Sequence, residues 1–175
     1  MKELISAFLF FLPAGLANSA PVLATKIPYV KNWNTPLDLG ATIHGERIFG
    51  DNKTWRGLLA GIFVGMLVAW AEALLSFDRA TDHTLWFVLV GGLMGFGALA
   101  GDAVKSYFKR RAHIAPGQSW FPLDQIDYIL GGLLAITPFV QWYPGLIVRV
   151  IVIYFGLHMA VNYFAYLVGI NKRPI

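Results

Sequence analysis

Apolar and polar stretches alternate five times along this chain. Leu4 to Thr25, Gly57 to Phe77, Leu85 to Ala100, Leu123 to Gln141 and Leu146 to Ile170 are almost free of charge. Each comes near the roughly 20 residues that a helix needs to cross a bilayer. Glycines recur at four-residue spacing: Gly57, Gly61 and Gly65 in the second stretch, Gly91 with Gly95 and Gly97 with Gly101 in the third. That spacing puts small residues on one helical face, where a neighbouring helix approaches closely. The pattern predicts an all-α integral membrane protein, a bundle of five transmembrane helices with two large loops, forming one membrane-embedded domain over 1–175.

The first stretch reads as a retained helix, because Lys2 and Glu3 do not make the positive start of a secretory signal. Its Asn18, Ser19 and Pro21 mark either a helix kink or the wall of a polar pocket. Glu72 lies inside the second stretch and is expected to pair with Arg149. His158 and Asn162 are four apart in the fifth and are expected to make interhelical hydrogen bonds rather than bind a metal.

Composition supports a lipid solvent. Hydrophobic residues make up 57% and charged ones 14%, against roughly 25% charged in soluble domains. The absence of cysteine removes disulfides and thiolate metal sites. The net charge of +4 is unevenly spread. Lys26, Lys31, Arg47, Lys53 and Arg56 fall in the Thr25–Arg56 loop, and Lys105, Lys109, Arg110 and Arg111 in the connection between the third and fourth stretches. Lys172 and Arg173 form the tail. With five spans these share one side, leaving Lys2, Arg79 and Arg149 opposite. The positive-inside rule then puts both loops and the C-terminus in the cytoplasm and the N-terminus outside a cell membrane.

The same two loops hold the candidate chemistry. If the third helix continues past Gly101, Asp102, Lys105 and Lys109 share one face. Asp124 and Asp127 share a face on the opening turns of the fourth. Carboxylates so close repel unless a cation or proton lies between them. An oxygen-only ligand set suits Mg²⁺, which bridges carboxylates to phosphates, and neighbouring lysines and arginines would hold the remaining phosphate charge. The competing reading makes Arg110 and Arg111 headgroup anchors and the two aspartates complements to a helix dipole. The long loop ends in Gly50-Asp-Asn-Lys53-Thr54, similar to a phosphate-binding turn but without Walker A spacing.

Ser106-x-x-Lys109-Arg110 followed by Asp124-x-x-Asp127 resembles the signature of the phosphatidate cytidylyltransferases. The bacterial form carries a Lys-Asp pair and a His-Gly-Gly between these elements and an Arg after the first aspartate. This chain lacks both inserts and has Gln125 there. The closer resemblance is to the archaeal branch, the CDP-archaeol synthases. It extends over Asn18-x-x-Pro21, Asp38-x-Gly40, Gly45-x-Arg47-x-x-Gly50-x-x-Lys53-Thr54-x-Arg56-Gly57, Gly101-Asp102, Ser106, Lys109-Arg110-Arg111, Gly117, Pro122 and Asp124-Gln125-x-Asp127. His44 and Glu46 carry less weight. The resemblance implies a reaction of CTP with an isoprenoid diether glycerol phosphate, giving a CDP-lipid and pyrophosphate. It implies catalytic roles for Asp102, Lys105, Lys109, Asp124 and Asp127, with Mg²⁺ on the three aspartates. It places Lys53, Arg56, Lys105 and Lys109 on phosphates, and backbone N–H groups of Gly45 to Gly57 on CTP. Asp38, Gly45, Arg47, Gly50, Asn52, Thr54, Ser106, Arg110 and Arg111 complete the implied nucleotide site. Implied partners are CTP, the lipid phosphate and membrane lipids, with no nucleic acid; self-association into a homo-oligomer is left open.

Two rival functions are weaker. A CDP-alcohol phosphotransferase would continue Asp-x-x-Asp-Gly-x-x-Ala-Arg, whereas Asp127 is followed by Tyr-Ile-Leu-Gly-Gly. A transporter would carry charges deep in its spans, and only Glu72 and Arg149 qualify, both near outer ends.

Overall fold

A computed structural model describes residues 1–75, 83–115 and 118–169; Arg79, Gly117, Lys172 and Arg173 lie outside them. The order is α1 (Lys2–Ala17), α2 (Ala20–Ala24), β1 (Thr42–Ile43), β2 (Glu46–Arg47), α3 (Trp55–Leu75), α4 (Thr84–Arg111), α5 (Leu123–Ile136) and α6 (Pro144–Leu167). Lys2–Ala24, Trp55–Leu75, Thr84–Arg111 and Pro144–Leu167 are long and apolar enough to cross a membrane. Their outer faces suit lipid: Phe63, Leu67, Trp70 and Leu74 of α3 are exposed at helical spacing.

The fourth expected span is shorter than the apolar pattern suggested. α5 stops at Ile136 after 14 residues, about 21 Å of helix. Pro138 has no N–H to continue the ladder, and the chain leaves through a 3₁₀ turn, Thr137–Phe139. The first stretch is broken as well. At Asn18 and Ser19 the helix tightens, with the Ser19 N–H donating to Leu16 O at 3.0 Å, and Pro21 opens the short α2.

α4 is the hub, and glycines on its two faces set its neighbours. A Cβ on Gly65 would lie 2.3 Å from Gly91 O, and one on Gly95 2.4 Å from Gly61 O. On the other face a Cβ on Gly97 would lie 2.4 Å from Gly131 O. Backbone therefore meets backbone along both seams, as the four-residue spacing predicts. Phe11, Met94, Ile129, Ile136 and Val150 close the core between α1, α4, α5 and α6. Tyr128 Oη donates to Tyr154 O at 3.1 Å and Tyr154 Oη to Phe8 O at 2.6 Å, so the buried hydroxyls there are paired.

Two expected contacts do not form. Arg149 pairs with Glu3, and Glu72 Oε1 is buried without a partner among the described residues. The reason is the packing order: α6 lies against α1 and α5, so Arg149 near its start meets the start of α1. His158 makes no side-chain hydrogen bond among the described residues; its ring lies 5.8 Å from that of Tyr128.

Candidate active site

The apolar run of α4 ends at Gly101, but its helix continues to Arg111. α5 runs antiparallel beside it, because Gly97 meets Gly131 and Gly101 meets Asp127 O. The polar turns of one helix thereby face the first turns of the other. Lys105 Nζ lies 3.0 Å from Asp102 Oδ1, 2.8 Å from Asp124 Oδ1 and 2.8 Å from Asp127 Oδ2. Lys109 Nζ donates to both Asp124 oxygens, at 3.2 and 3.1 Å. Lys53, at the end of the long loop, pairs with Asp102 Oδ2. Three carboxylates and three ammoniums thus form one ion-paired cluster, with the Asp127 side chain only 7% exposed. Backbone donors fix the acids further, Trp120 N–H to Asp124 and Tyr128 N–H to Asp127, each at 2.6 Å.

Three hollows meet at this cluster. A polar one of about 310 Å³ is lined by Asn18, Asn52, Lys53, Thr54, Asp102 and His158, among others. A smaller one of about 110 Å³ lies between Phe49, Asn52, Ser106, Lys109 and Arg110. An apolar groove of about 650 Å³ follows α4 and α5 past Phe96, Val104, Phe108, Ile126 and Leu130. Lys105 lines all three hollows, and Asp127 lines the larger polar one and the groove.

The long loop is a bracket built on Asp38. Its buried carboxylate accepts N–H groups of Gly40, Phe49 and Gly50 at 3.1, 2.9 and 3.0 Å, and the Arg47 guanidinium at 2.5 and 3.3 Å. Burial alone would raise its pKa; the bonds from Arg47 and the backbone outweigh burial and hold it well below the usual carboxylate range. Asp38 in turn, with a smaller share from Asp51, raises the pKa of Arg47. Between β1 and β2, His44 and Gly45 take φ of 54° and 80°, the two-residue turn that suits a twisted hairpin. Thr54 Oγ1 accepts the Gly57 N–H at 3.2 Å and caps α3.

The implied nucleotide residues therefore divide. Asn52, Lys53, Thr54, Ser106 and Arg110 line the polar hollows. Asp38 and Arg47 are engaged with each other, the Gly50 N–H is already used by Asp38, and Gly45 is at the hairpin tip. Arg56 is buried and donates to Val30 O, Lys31 O and Asn34 Oδ1, tying the loop to α3. Arg111 lies 3.5 Å over the Tyr107 ring and donates to Tyr107 O.

The family described as "CarS-like: CDP-archaeol synthase" matches residues 1–174. The chain is 36% identical over 174 residues to the CDP-archaeol synthase of Methanoculleus marisnigri, covering 93% of this chain and 99% of that one. To the CDP-archaeol synthase of Thermococcus kodakarensis it is 34% identical, covering 99% and 98%. It also resembles a solved intramembrane enzyme for archaeal membrane lipid biosynthesis, with a TM-score of 0.76 and 34% identity over 91% of this chain and 94% of the other. The chain belongs to the CDP-archaeol synthase family.

Membership in the CDP-archaeol synthases favours neither the phosphotransferase nor the transporter reading. In this member the fold adds two site walls to the motif residues, Asn18 from the break between α1 and α2, and His158 from α6. The Asn18-x-x-Pro21 pattern signalled the first. His158, expected with Asn162 to make interhelical hydrogen bonds, instead lines the polar hollow, and no local pattern in the sequence signalled the groove along α4 and α5.

Proposed function

We propose that this chain transfers the cytidylyl group of CTP to an isoprenoid diether glycerol phosphate, releasing pyrophosphate, and that the reaction takes place at the Lys105 cluster. One observation carries the placement: Lys105 and Asp127 line both the polar hollow and the apolar groove. A water-soluble nucleotide and a lipid phosphate need such a meeting point. The triphosphate enters beside Lys53, Asn52 and Arg110. The isoprenoid chain lies along the groove with its phosphate at Lys105.

An ionised phosphate oxygen of the lipid attacks the α-phosphorus of CTP, a new P–O bond forms, and the α–β bond breaks with its electrons on pyrophosphate. No side chain has to remove a proton. The work of the chain is positioning and charge stabilisation. Lys53, Lys105 and Lys109 are the donors for phosphate oxygens. The oxygen-only donor set, with three carboxylates already gathered around a cationic nitrogen, fits Mg²⁺ held by Asp102, Asp124 and Asp127. When bound, that ion supplies Lewis-acid stabilisation of charge on the phosphates.

The whole chain crosses the membrane five times in this reading, with α5 and its 3₁₀ turn as the fourth crossing. The site faces the cytoplasm, where basic residues gather. The test is purified protein with radiolabelled CTP and a geranylgeranyl diether glycerol phosphate. A labelled CDP-lipid is expected; hydrolysis of CTP or no product at all would overturn the reading.

A further inference from the structure

The place a metal would take among the three aspartates is taken by the Lys105 ammonium, at 2.8 to 3.0 Å from an oxygen of each. Lys53 and Lys109 occupy further oxygens of Asp102 and Asp124. The six bonded groups sum to zero charge. Consistent with this, no set of three metal-ligating side chains among the described residues is arranged to hold an ion as the chain stands. A divalent ion entering alone would have to expel an ammonium whose own side chain is only 14% exposed, leaving two extra positive charges in a half-buried site. That is the costly direction for unpaired charge. A polyphosphate changes the balance, because it offers Lys53, Lys105 and Lys109 new anionic partners while the ion takes the vacated carboxylates.

We infer that Lys105 is an internal plug of the metal site, a phosphate-contacting residue that also excludes free divalent ions and moves from carboxylates to phosphate when metal and nucleotide arrive together. The inference rests on the placement of the metal site proposed above. Lys105 thereby has two successive partners, and the enzyme does not hold a resident ion between turnovers.

The measurement is Mn²⁺ binding to the purified full-length protein in detergent, followed by electron paramagnetic resonance without any nucleotide. Wild type is expected to bind Mn²⁺ at least about 10-fold more weakly than Lys105→Met and Lys105→Gln, one decade being the effect of about 1.4 kcal/mol. Adding Asp127→Asn to either variant should abolish the gain. If the variants do not survive purification because the carboxylates repel, Mn²⁺ in the extraction buffer should restore them where the same concentration of K⁺ does not. Equal Mn²⁺ affinity in wild type and both variants, or variants that Mn²⁺ does not restore, would overturn the plug. The radiolabel assay is independent of this result: a CDP-lipid made by a wild type that binds Mn²⁺ as tightly as Lys105→Met leaves the reaction standing and removes the plug.

Discussion

A Cβ added to Gly101 would lie 2.3 Å from the carbonyl oxygen of Asp127. The residue before Asp102 is thus in backbone contact with another member of the carboxylate cluster, and packing and chemistry share one seam. Gly101→Ala is expected to push α5 away from α4, at about 1–3 kcal/mol for overpacking. Turnover should fall with it, because Asp127 moves from Lys105. Gly156, with nothing within 4 Å of its own added Cβ, is the control in the middle of α6, and Gly156→Ala should leave turnover unchanged and stability equal or up to about 1 kcal/mol higher. Thermal unfolding in detergent and turnover on the same preparations check this.

Arg56 and Lys53 separate what the loop motif lumped together. Arg56 is spent on loop carbonyls and Asn34, so Arg56→Ala should cost about 1.5–3 kcal/mol of stability through the loss of hydrogen bonds from a buried charged donor. Lysine should not rescue it, since the forked geometry is lost. Lys53→Ala removes one of the two ammonium partners of Asp102, while Lys105 remains, so it should cost about 1 kcal/mol of stability and raise KM for CTP about 10- to 100-fold, as for a lost charge-assisted contact. A CTP titration of both variants decides it; the reverse pattern would place the nucleotide on Arg56.

Asp38 gives the loop a pH signature. Its carboxyl titrates lower in the folded chain than its ordinary value of about 4. A depressed folded pKa means stabilisation that is complete above the unfolded value and is lost as pH falls through the folded one. Hydrogen exchange of the Phe49 and Gly50 amides is therefore expected to show flat protection above about pH 4, falling in more acid solution. Asp38→Asn should remove that dependence and expose the loop at neutral pH. Unchanged protection in the variant would mean that the hairpin holds the loop without the Asp38 bracket.

Much of this site was legible because it is written in local spacing. Asp102, Lys105 and Lys109 at helical intervals, and Asp124 with Asp127, need only that their helices form, and α4 and α5 form over them. Glycine periodicity likewise told where helices would touch. Long-range choices were not legible. Arg149 chose Glu3 over Glu72 because of the packing order of α6, which no local pattern encodes. Asp38 and Arg47 sit in a polar, glycine-punctuated loop, and Arg56 in the first turn of the helix that follows it, where a substrate contact and a loop-building contact demand the same residue types. Only the bonds they make in the fold tell the two apart.

The groove makes a claim about substrate length. Val104 lines it and is about half exposed, so Val104→Trp fills the channel without disturbing the core. KM for a long isoprenoid acceptor should rise several-fold while KM for CTP and turnover of a short-chain acceptor stay near wild type. An equal effect on long and short acceptors would place the chain elsewhere.

The aspartate pair carries the sharpest test, and the structure changes what it should show. Repulsion between neighbouring carboxylates, taken alone, would have Asp124→Asn and Asp127→Asn spare or raise stability. The cluster instead neutralises each acid with lysine, so either change leaves ammonium groups short of a partner and should cost about 1–3 kcal/mol. Asp124 also holds the Trp120 N–H at 2.6 Å, a capping role that an asparagine oxygen still fills. Stability loss alone therefore no longer separates a metal site from a helix-dipole complement. Turnover does. A carboxylate that holds Mg²⁺ against the phosphates should lose at least about 100-fold when neutralised, the scale of one strong electrostatic contributor to a transition state. A cap should lose little at temperatures where the variant is folded. The measurement is turnover well below each variant's unfolding temperature, with chelator added and Mg²⁺ returned. Abolition by chelator, recovery with Mg²⁺ in wild type and a 100-fold deficit in both variants are expected. Near-normal turnover in either variant would remove that aspartate from the metal site and leave it as a partner of Lys105.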